Sequence, residues 1–154
     1  MFRGRYEHSV DAKGRIAFPA DLREELKRRY DHERLVLTKH LKDPCLLVYP
    51  LREWEEFEAK VARLPQFDAS GELLRRWFIG PARDVDLDPQ GRILVPQEQR
   101  NDIALERDAV WLGVGRIIEL WSRDNHVSCV ESKRSSIDPG ELERLLKKAA
   151  ELGL

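Results

Sequence analysis

The chain has 154 residues, of which 42% are hydrophobic and 36% charged, enough for one domain or two very small ones. Its 27 Lys plus Arg nearly balance 28 Asp plus Glu, and this net charge of −1 argues against a protein that coats nucleic acid through bulk charge. No window approaches the ~18 consecutive apolar residues of a membrane span, no secretion signal follows Met1, and Cys45 and Cys129 lack CxxC spacing. We therefore expect a folded, soluble protein of the reducing cytoplasm, with no membrane partner.

The first predicted elements are a hairpin and a helix. Strand-like runs over 7–11 and 15–18 flank a tight turn, in which Gly14 supplies the positive φ. Pro19 suits the entry of a helix, and residues 21–29 carry acids early and bases late, as the helix dipole favours. Two further strands and two amphipathic helices are predicted over 35–38, 45–49, 52–63 and 71–78.

The same pattern returns in the second half of the chain, and such self-similarity is the sign of a repeat. Residues 10–19 and 87–96 align at a constant offset of 77. The identical pairs are Asp11 and Asp88, Gly14 and Gly91, Arg15 and Arg92, Ile16 and Ile93, and Pro19 and Pro96. A second hairpin is predicted over 109–114 and 117–121. Because so short a repeat buries little surface alone, we expect the two repeats to share one core with pseudo-two-fold symmetry.

Two helical segments close the chain. The first, over 123–134, is weakly patterned, whereas the second begins with Asp138 as N-cap and Pro139 at the first helical position. The last helix carries an apolar stripe of Leu142, Leu145, Leu146 and Ala149. The expected organisation is a first module with helices over 1–80, a second module over 81–130 and a helical extension over 131–154.

No pattern in the sequence predicts catalysis. The four histidines, His8, His32, His40 and His126, lack metal-ligand spacing. Gly113-Val114-Gly115 is better explained by a hairpin turn than by a dinucleotide loop, because no βαβ unit follows it. We therefore expect no enzyme activity, no cofactor, no metal and no small-molecule substrate.

The duplicated Asp-x-x-Gly-Arg turn is the most specific signal, and it has two interpretations. In the structural one, Asp11 and Arg15 form a local ion pair that holds the hairpin, worth ~0–1 kcal/mol if exposed. In the functional one, the arginine contacts phosphate or base edges of DNA. The copies differ in charge: residues 1–15 carry a net +2, whereas residues 78–92 carry −1. A scaffold role is expected of both turns, and a binding role of the first.

These residues resemble the MraZ family of bacterial transcriptional regulators, built from two tandem AbrB-like (SpoVT–AbrB) modules. The resemblance rests on Met1-Phe2-Arg3-Gly4, the two Asp-x-x-Gly-Arg-Ile turns with their prolines, and the closing Glu119-Leu120-Trp121. It covers roughly residues 1–130 and implies a mixed α+β fold in which swapped hairpins form a pseudo-two-fold β-barrel with flanking helices.

The resemblance also implies a function. Family members form ring-shaped oligomers and bind short direct repeats in DNA upstream of the division and cell-wall gene cluster. Transferred to this sequence, the candidate DNA contacts are Arg15, Lys13, Arg3 and Arg5. The motif positions with a structural role are Asp11, Gly14, Asp88, Gly91 and Arg92, the last of them in acidic surroundings.

The sequence thus predicts a nucleoid-associated, sequence-specific regulator that binds double-stranded DNA as a homo-oligomeric ring. The alternative is a protein-interaction module, antitoxin-like or structural, that uses the AbrB-type fold and the C-terminal helix to hold a partner. The apolar stripe of that helix is the feature on which the alternative depends.

Overall fold

Short alternating runs and tight turns give the chain an antiparallel sheet, a small ladder and surrounding helices. The computed structural model describes residues 1–30 and 33–154. The strands there are β1 (Arg5–Ser9), β2 (Arg15–Ala17), β3 (Arg34–Lys39), β4 (Cys45–Pro50), β5 (Arg83–Asp86), β6 (Arg92–Leu94), β7 (Asp108–Gly113) and β8 (Ile118–Ser122). The helices are α1 (Ala20–Tyr30), α2 (Leu51–Ala62), α3 (Ala69–Leu74), α4 (Gln97–Asp102), α5 (Arg123–His126), α6 (Ser132–Ser135) and α7 (Pro139–Glu151), with π-helical segments at Arg75–Ile79 and Val127–Glu131.

The strand order of the main sheet carries the repeat. Six strands lie in the order β1-β7-β8-β4-β3-β5, with every neighbouring pair antiparallel. The repeat relates β1 to β5, β3 to β7 and β4 to β8. Exchanging these partners gives the same strand order read from the other edge, so the sheet has pseudo-two-fold symmetry. Strand β1 pairs with β7 of the second repeat, and β5 of the second repeat pairs with β3 of the first. Each repeat therefore completes its sheet with a strand of the other.

A separate two-stranded ladder joins the repeats through their turn motifs. Strands β2 and β6 pair antiparallel with Ile16 opposite Ile93, the two identical isoleucines of the motif. The ladder is extended by hydrogen bonds from the Val95 N–H to the Gly14 carbonyl and from the Phe18 N–H to the Gly91 carbonyl, both 2.9 Å. The two turns therefore lie at opposite ends of one short ladder.

The main core is built by both repeats together. Ile16, Leu22 and Leu37 of the first repeat and Ile93 and Trp111 of the second belong to one cluster of buried side chains. The indole of Trp111 also donates a hydrogen bond of 3.1 Å to the Ala17 carbonyl, 94 residues away in sequence. Because each repeat has too few residues to enclose such a core, neither repeat could bury as much apolar surface alone.

The helices differ in how they pack. α2 buries Trp54 and Val61, and Trp54 belongs to a second apolar cluster that also contains Phe78. α7 has no buried residue, and Leu145 and Leu146 are 56% and 60% exposed. No helix in residues 1–30 and 33–154 is long and apolar enough to cross a membrane.

Three features differ from the sequence expectations. The main sheet is open, with β1 and β5 at its edges, and no closed barrel is seen in the described part of the chain. The helix predicted over 71–78 begins at Ala69 and changes to π-helical geometry at Arg75. The segment 123–134 contains a π-helical stretch between α5 and α6. Such changes of hydrogen-bond register leave the side-chain pattern nearly helical, so sequence periodicity does not reveal them.

Candidate nucleic-acid interface

The first turn, residues 11–15, is closed by the side chain of Asp11. Its Oδ1 accepts hydrogen bonds of 2.9 Å from the backbone N–H groups of Lys13 and Arg15. Its Oδ2 accepts one of 2.7 Å from the Nε of Arg15. Gly14 occupies the left-handed region at φ +85°, which favours glycine. The motif spacing therefore lets one carboxylate accept hydrogen bonds from two backbone N–H groups and one arginine side chain, which closes the hairpin.

The second turn, residues 88–92, repeats this geometry. Oδ1 of Asp88 accepts hydrogen bonds of 2.9 Å from the backbone N–H groups of Gln90 and Arg92, and Oδ2 accepts one of 2.9 Å from Arg92 Nε. Gly91 has φ +76°. In both turns the backbone N–H of the motif arginine is the main cause that lowers the pKa of the aspartate below its ordinary value. In both copies the aspartate therefore caps the turn and pairs with the motif arginine.

The turns differ in the charge that they present. Lys13 is exposed and forms no ion pair with any residue in the described ranges, and Gln90 occupies the matching position in the second turn. The strand that leads into the second turn carries Asp84 and Asp86, with side chains 69% and 76% exposed. The first turn is therefore the more basic of two nearly identical scaffolds.

Arg15 retains donors for a ligand. Its side chain is 35% exposed, and only its Nε is used by Asp11. Within residues 1–30 and 33–154, its Nη atoms form no hydrogen bond or ion pair. Because a guanidinium can pair with phosphate or with a guanine edge through two parallel N–H groups, these atoms suit DNA contact.

Arg3 and Arg5 lie apart from the first turn. Arg5 pairs with Leu112 at the opposite end of β1, and the extended chain from Arg5 to Ser9 is about 13 Å long. The Arg5 guanidinium is shared by Glu7 at 2.7 Å and Glu131 at 3.2 Å. Arg3 is exposed, and its carbonyl accepts a hydrogen bond from the Tyr6 hydroxyl. The structure brings Lys13 and Arg15 together and separates Arg3 and Arg5 from them.

One basic residue at the first turn was missing from the sequence prediction. Arg100 of α4, in the second repeat, lies against Gly14, and a methyl group added at Gly14 would sit 2.7 Å from its Cζ. Its counterpart Arg23 lies against Gly91 in the same way. Each of these arginines lies four residues after the proline of its motif, so a longer alignment of the two repeats would have matched them. Only the fold shows that each one contacts the turn of the other repeat.

The other residue types considered for a site are the histidines and the cysteines. No group of three His, Cys, Asp or Glu side chains in residues 1–30 and 33–154 is arranged to hold a metal ion. His32, one of the four histidines considered as ligands, lies outside these ranges. The cysteines Cys45 and Cys129 are both free, and burial raises the pKa of the Cys45 thiol.

The fold and the turns define a class of tandem-repeat protein in which two repeats build one sheet, and each displays an Asp-capped Gly-Arg turn. The family model described as "MraZ protein, putative antitoxin-like" matches residues 1–77 and again 78–147. The chain belongs to the MraZ family, as its sequence predicted.

Relatives named "Transcriptional regulator MraZ" match most of the chain. The relative from Thermoanaerobacter sp. (strain X514) is 43% identical over 124 residues, 80% of this chain and 82% of its own length. That from Heliobacterium modesticaldum is 45% identical over the same shares. The relative from Acetivibrio thermocellus is 40% identical over 154 residues, the whole of both chains.

Proposed function

We propose that this chain is a sequence-specific DNA-binding transcriptional regulator without catalytic activity, cytoplasmic and associated with the nucleoid. It acts as a ring-shaped homo-oligomer and recognises short direct repeats upstream of the division and cell-wall gene cluster. The observation that carries the proposal is the charge difference between two turns of the same geometry: the first presents Lys13 and Arg15, and the second presents Gln90 and Arg92. The names of the relatives support a regulatory role.

The charge of one turn suits binding that depends on repetition. A contact made by only a few bases releases few counterions, so a single subunit binds DNA weakly and with strong salt dependence. Several subunits that present the same face to evenly spaced sites convert weak contacts into a tight one. Direct repeats in DNA match rotationally related copies of a head-to-tail ring, whereas a lone two-fold dimer matches palindromes.

The matched pair Arg15→Ala and Arg92→Ala tests the DNA contact. Each variant loses the same ion pair to its aspartate, at 2.7 Å and 2.9 Å, and therefore a similar stabilising contact. In a gel-shift titration on promoter DNA carrying the repeats, we expect Arg15→Ala to bind about tenfold or more weakly, the cost of one good arginine contact. Arg92→Ala is expected to stay within about threefold of the parent. Equal binding by Arg15→Ala and the parent would remove the proposed role.

Lys13 provides a second measurement at the same turn. If its ammonium lies on a phosphate, Lys13→Ala reduces the slope of log affinity against log salt by roughly one unit. Gln90→Ala is the control at the matching position of the second turn. An unchanged slope for Lys13→Ala would place that side chain away from the DNA backbone.

The ring is tested by mass. Light scattering of the purified protein is expected to give a multiple of the chain mass that does not fall on modest dilution. A monomer would contradict both the ring and the gain in affinity from repetition.

A second candidate is an antitoxin-like or structural protein-interaction module, favoured by the exposed stripe of α7. Leu145 and Leu146 are more than half exposed on a helix that is capped by Asp138 through hydrogen bonds of 2.9 and 3.1 Å. A chain lacking residues 138–154 discriminates between the two functions. Loss of the oligomer with loss of DNA binding assigns the stripe to assembly, whereas unchanged assembly and DNA binding with loss of a co-purifying partner favours the second candidate.

A further inference from the structure

The glycine of each turn makes room for an arginine of the other repeat. A Cβ built at Gly14 would lie 2.7 to 2.9 Å from Cζ, Nη2 and Nε of Arg100, and one at Gly91 would lie 2.8 Å from Nη1 of Arg23. Real Cβ atoms do not approach other atoms so closely, so these guanidinium groups lie directly on the turn backbone. Each turn is therefore a composite of both repeats, with an arginine that its own repeat does not supply.

The two cross-repeat arginines differ in how they are neutralised. Arg23 donates from Nε and Nη2 to the carboxylate of Glu33, at 2.5 and 3.2 Å. These bonds are the main cause that raises the pKa of Arg23 above its ordinary value. Lys27 also contacts Glu33, at 3.2 Å. The arginine at the second turn thus has its carboxylate partner within the protein.

Arg100 has only neutral partners in the described ranges. Its Nε donates to the Val95 carbonyl at 3.1 Å, and its Nη2 donates to the Gln97 side-chain oxygen at 2.7 Å at the surface. These two bonds fix the guanidinium in place but leave it without an ion-pair partner, and three of its five N–H groups without an acceptor, among residues 1–30 and 33–154. A held guanidinium with unused donors pays little entropy when it binds an anion.

We propose that Arg100 is a third DNA contact of the first turn and binds a backbone phosphate beside Lys13 and Arg15. The inference rests on the proposed DNA-binding function and adds a residue from the second repeat to its site. Phosphate is the ligand that fits because the free N–H groups form a planar fork and no described carboxylate competes for them. Half or more of protein–DNA hydrogen bonds go to the backbone, where such a contact sets orientation and not sequence.

The test compares Arg100→Gln with its pseudo-symmetric control Arg23→Gln. The probe is a fluorescein-labelled duplex from the promoter of the division and cell-wall gene cluster, with a scrambled duplex beside it, titrated from about 50 to 200 mM salt. We expect Arg100→Gln to bind both duplexes about tenfold more weakly near 100 mM salt, with a salt slope shallower by about one unit. Arg23→Gln is expected to keep the parent's slope and to bind within about twofold.

Arg100→Lys separates a phosphate contact from a purely structural role. Lysine cannot reproduce the two fixed hydrogen bonds of the fork but keeps the point charge that a phosphate needs, so we expect the parent's salt slope to return. Equal losses for Arg100→Gln and Arg23→Gln, or failure of Arg100→Lys to restore the slope, would assign Arg100 to the scaffold and overturn the inference.

The outcome for Arg15→Ala keeps this inference distinct from the proposed function. If Arg15→Ala weakens binding while Arg100→Gln binds with the parent's affinity and slope, the inference is wrong and the proposed function stands. If Arg15→Ala and Arg100→Gln both bind as the parent does, the first turn is not the DNA contact, and if the parent itself does not bind the promoter duplex, the proposed function fails.

Discussion

Replacing Gly14 by alanine is expected to lower the free energy of unfolding by about 2–4 kcal/mol. Two effects contribute. Gly14 has φ +85°, where an L-residue costs about 1–2 kcal/mol. The added methyl would also lie 2.7 Å from Arg100 Cζ and displace the guanidinium. Displacement breaks the bonds to Val95 and Gln97, each worth about 0.5–1 kcal/mol at a partly exposed site.

A double-mutant cycle with Arg100→Ala separates these effects. In the Arg100→Ala background the methyl group meets no guanidinium, so Gly14→Ala is expected to cost only the conformational part, about 1–2 kcal/mol. The assay is urea unfolding followed by tryptophan fluorescence, with all four proteins at one concentration because assembly adds to apparent stability. The coupling expected between the two sites is about 1–2 kcal/mol, the value of the two hydrogen bonds.

The same cycle at the second turn is the control, with Gly91→Ala and Arg23→Ala. There the methyl meets only Nη1 at 2.8 Å, while the nearest other atom, Cζ, is 3.7 Å away. A smaller displacement suffices, so we expect a smaller coupling. Identical costs of Gly14→Ala in both Arg100 backgrounds would refute the idea that the glycine accommodates the cross-repeat arginine.

Three further predictions follow from the core, the surface and the N-terminal helix. Ile16→Ala, at a fully buried position opposite Ile93, is expected to cost about 2–4 kcal/mol in urea unfolding, and a cost below about 1 kcal/mol would contradict a shared core at the ladder. Gln90→Lys gives the second turn the lysine that the first turn has. Because Asp84 and Asp86 lie on the strand that leads into the second turn, we expect the DNA affinity to stay within about twofold of the parent. A steeper dependence of affinity on salt would instead indicate that the second turn contacts DNA. Hydrogen bonds from the Met1 ammonium and from Arg28 lower the pKa of Glu25 from its ordinary 4.5 to about 2. Its contribution, about 1–2 kcal/mol after screening by solvent, is therefore complete above about pH 4.5 and lost as the pH falls towards 2. Comparison of the parent and Glu25→Gln in urea near pH 7 and near pH 3 checks this: the variant is expected to lose less stability than the parent on acidification, and equal losses would argue against the shift.

Much of the candidate site could be predicted from sequence because its geometry is local. The carboxylate of Asp11 reaches two N–H groups and one guanidinium within four residues, so the spacing of the motif nearly determines the turn. The left-handed Gly14 follows from the same spacing. Comparison of the two repeats then separated the scaffold residues, which recur, from Lys13, which does not.

The positions of Arg3 and Arg5 relative to the first turn could not be predicted from the sequence, and their contact with DNA stays a prediction. In sequence they lie within a few residues of the first turn, but an extended strand carries Arg5 about 13 Å from Ser9. Its pairing with Glu131 joins it to the other end of the chain. A window of local charge treats these residues as one patch, although β geometry places them at opposite ends of a strand.

The amino-acid sequence by itself determined the repeat, the two capped turns, the bounds of most strands to within about two residues and the membership of the family, because each depends on neighbours a few positions apart. Only the tertiary structure decided that β1 and β5 complete the sheet of the opposite repeat and that the sheet remains open. It also decided that Arg100 of the second repeat lies on the first turn and that Arg23 of the first repeat lies on the second turn. These choices join residues tens of positions apart, and they depend on which surfaces can be buried together. That long-range pairing is what adds the charge of the second repeat to the turn of the first.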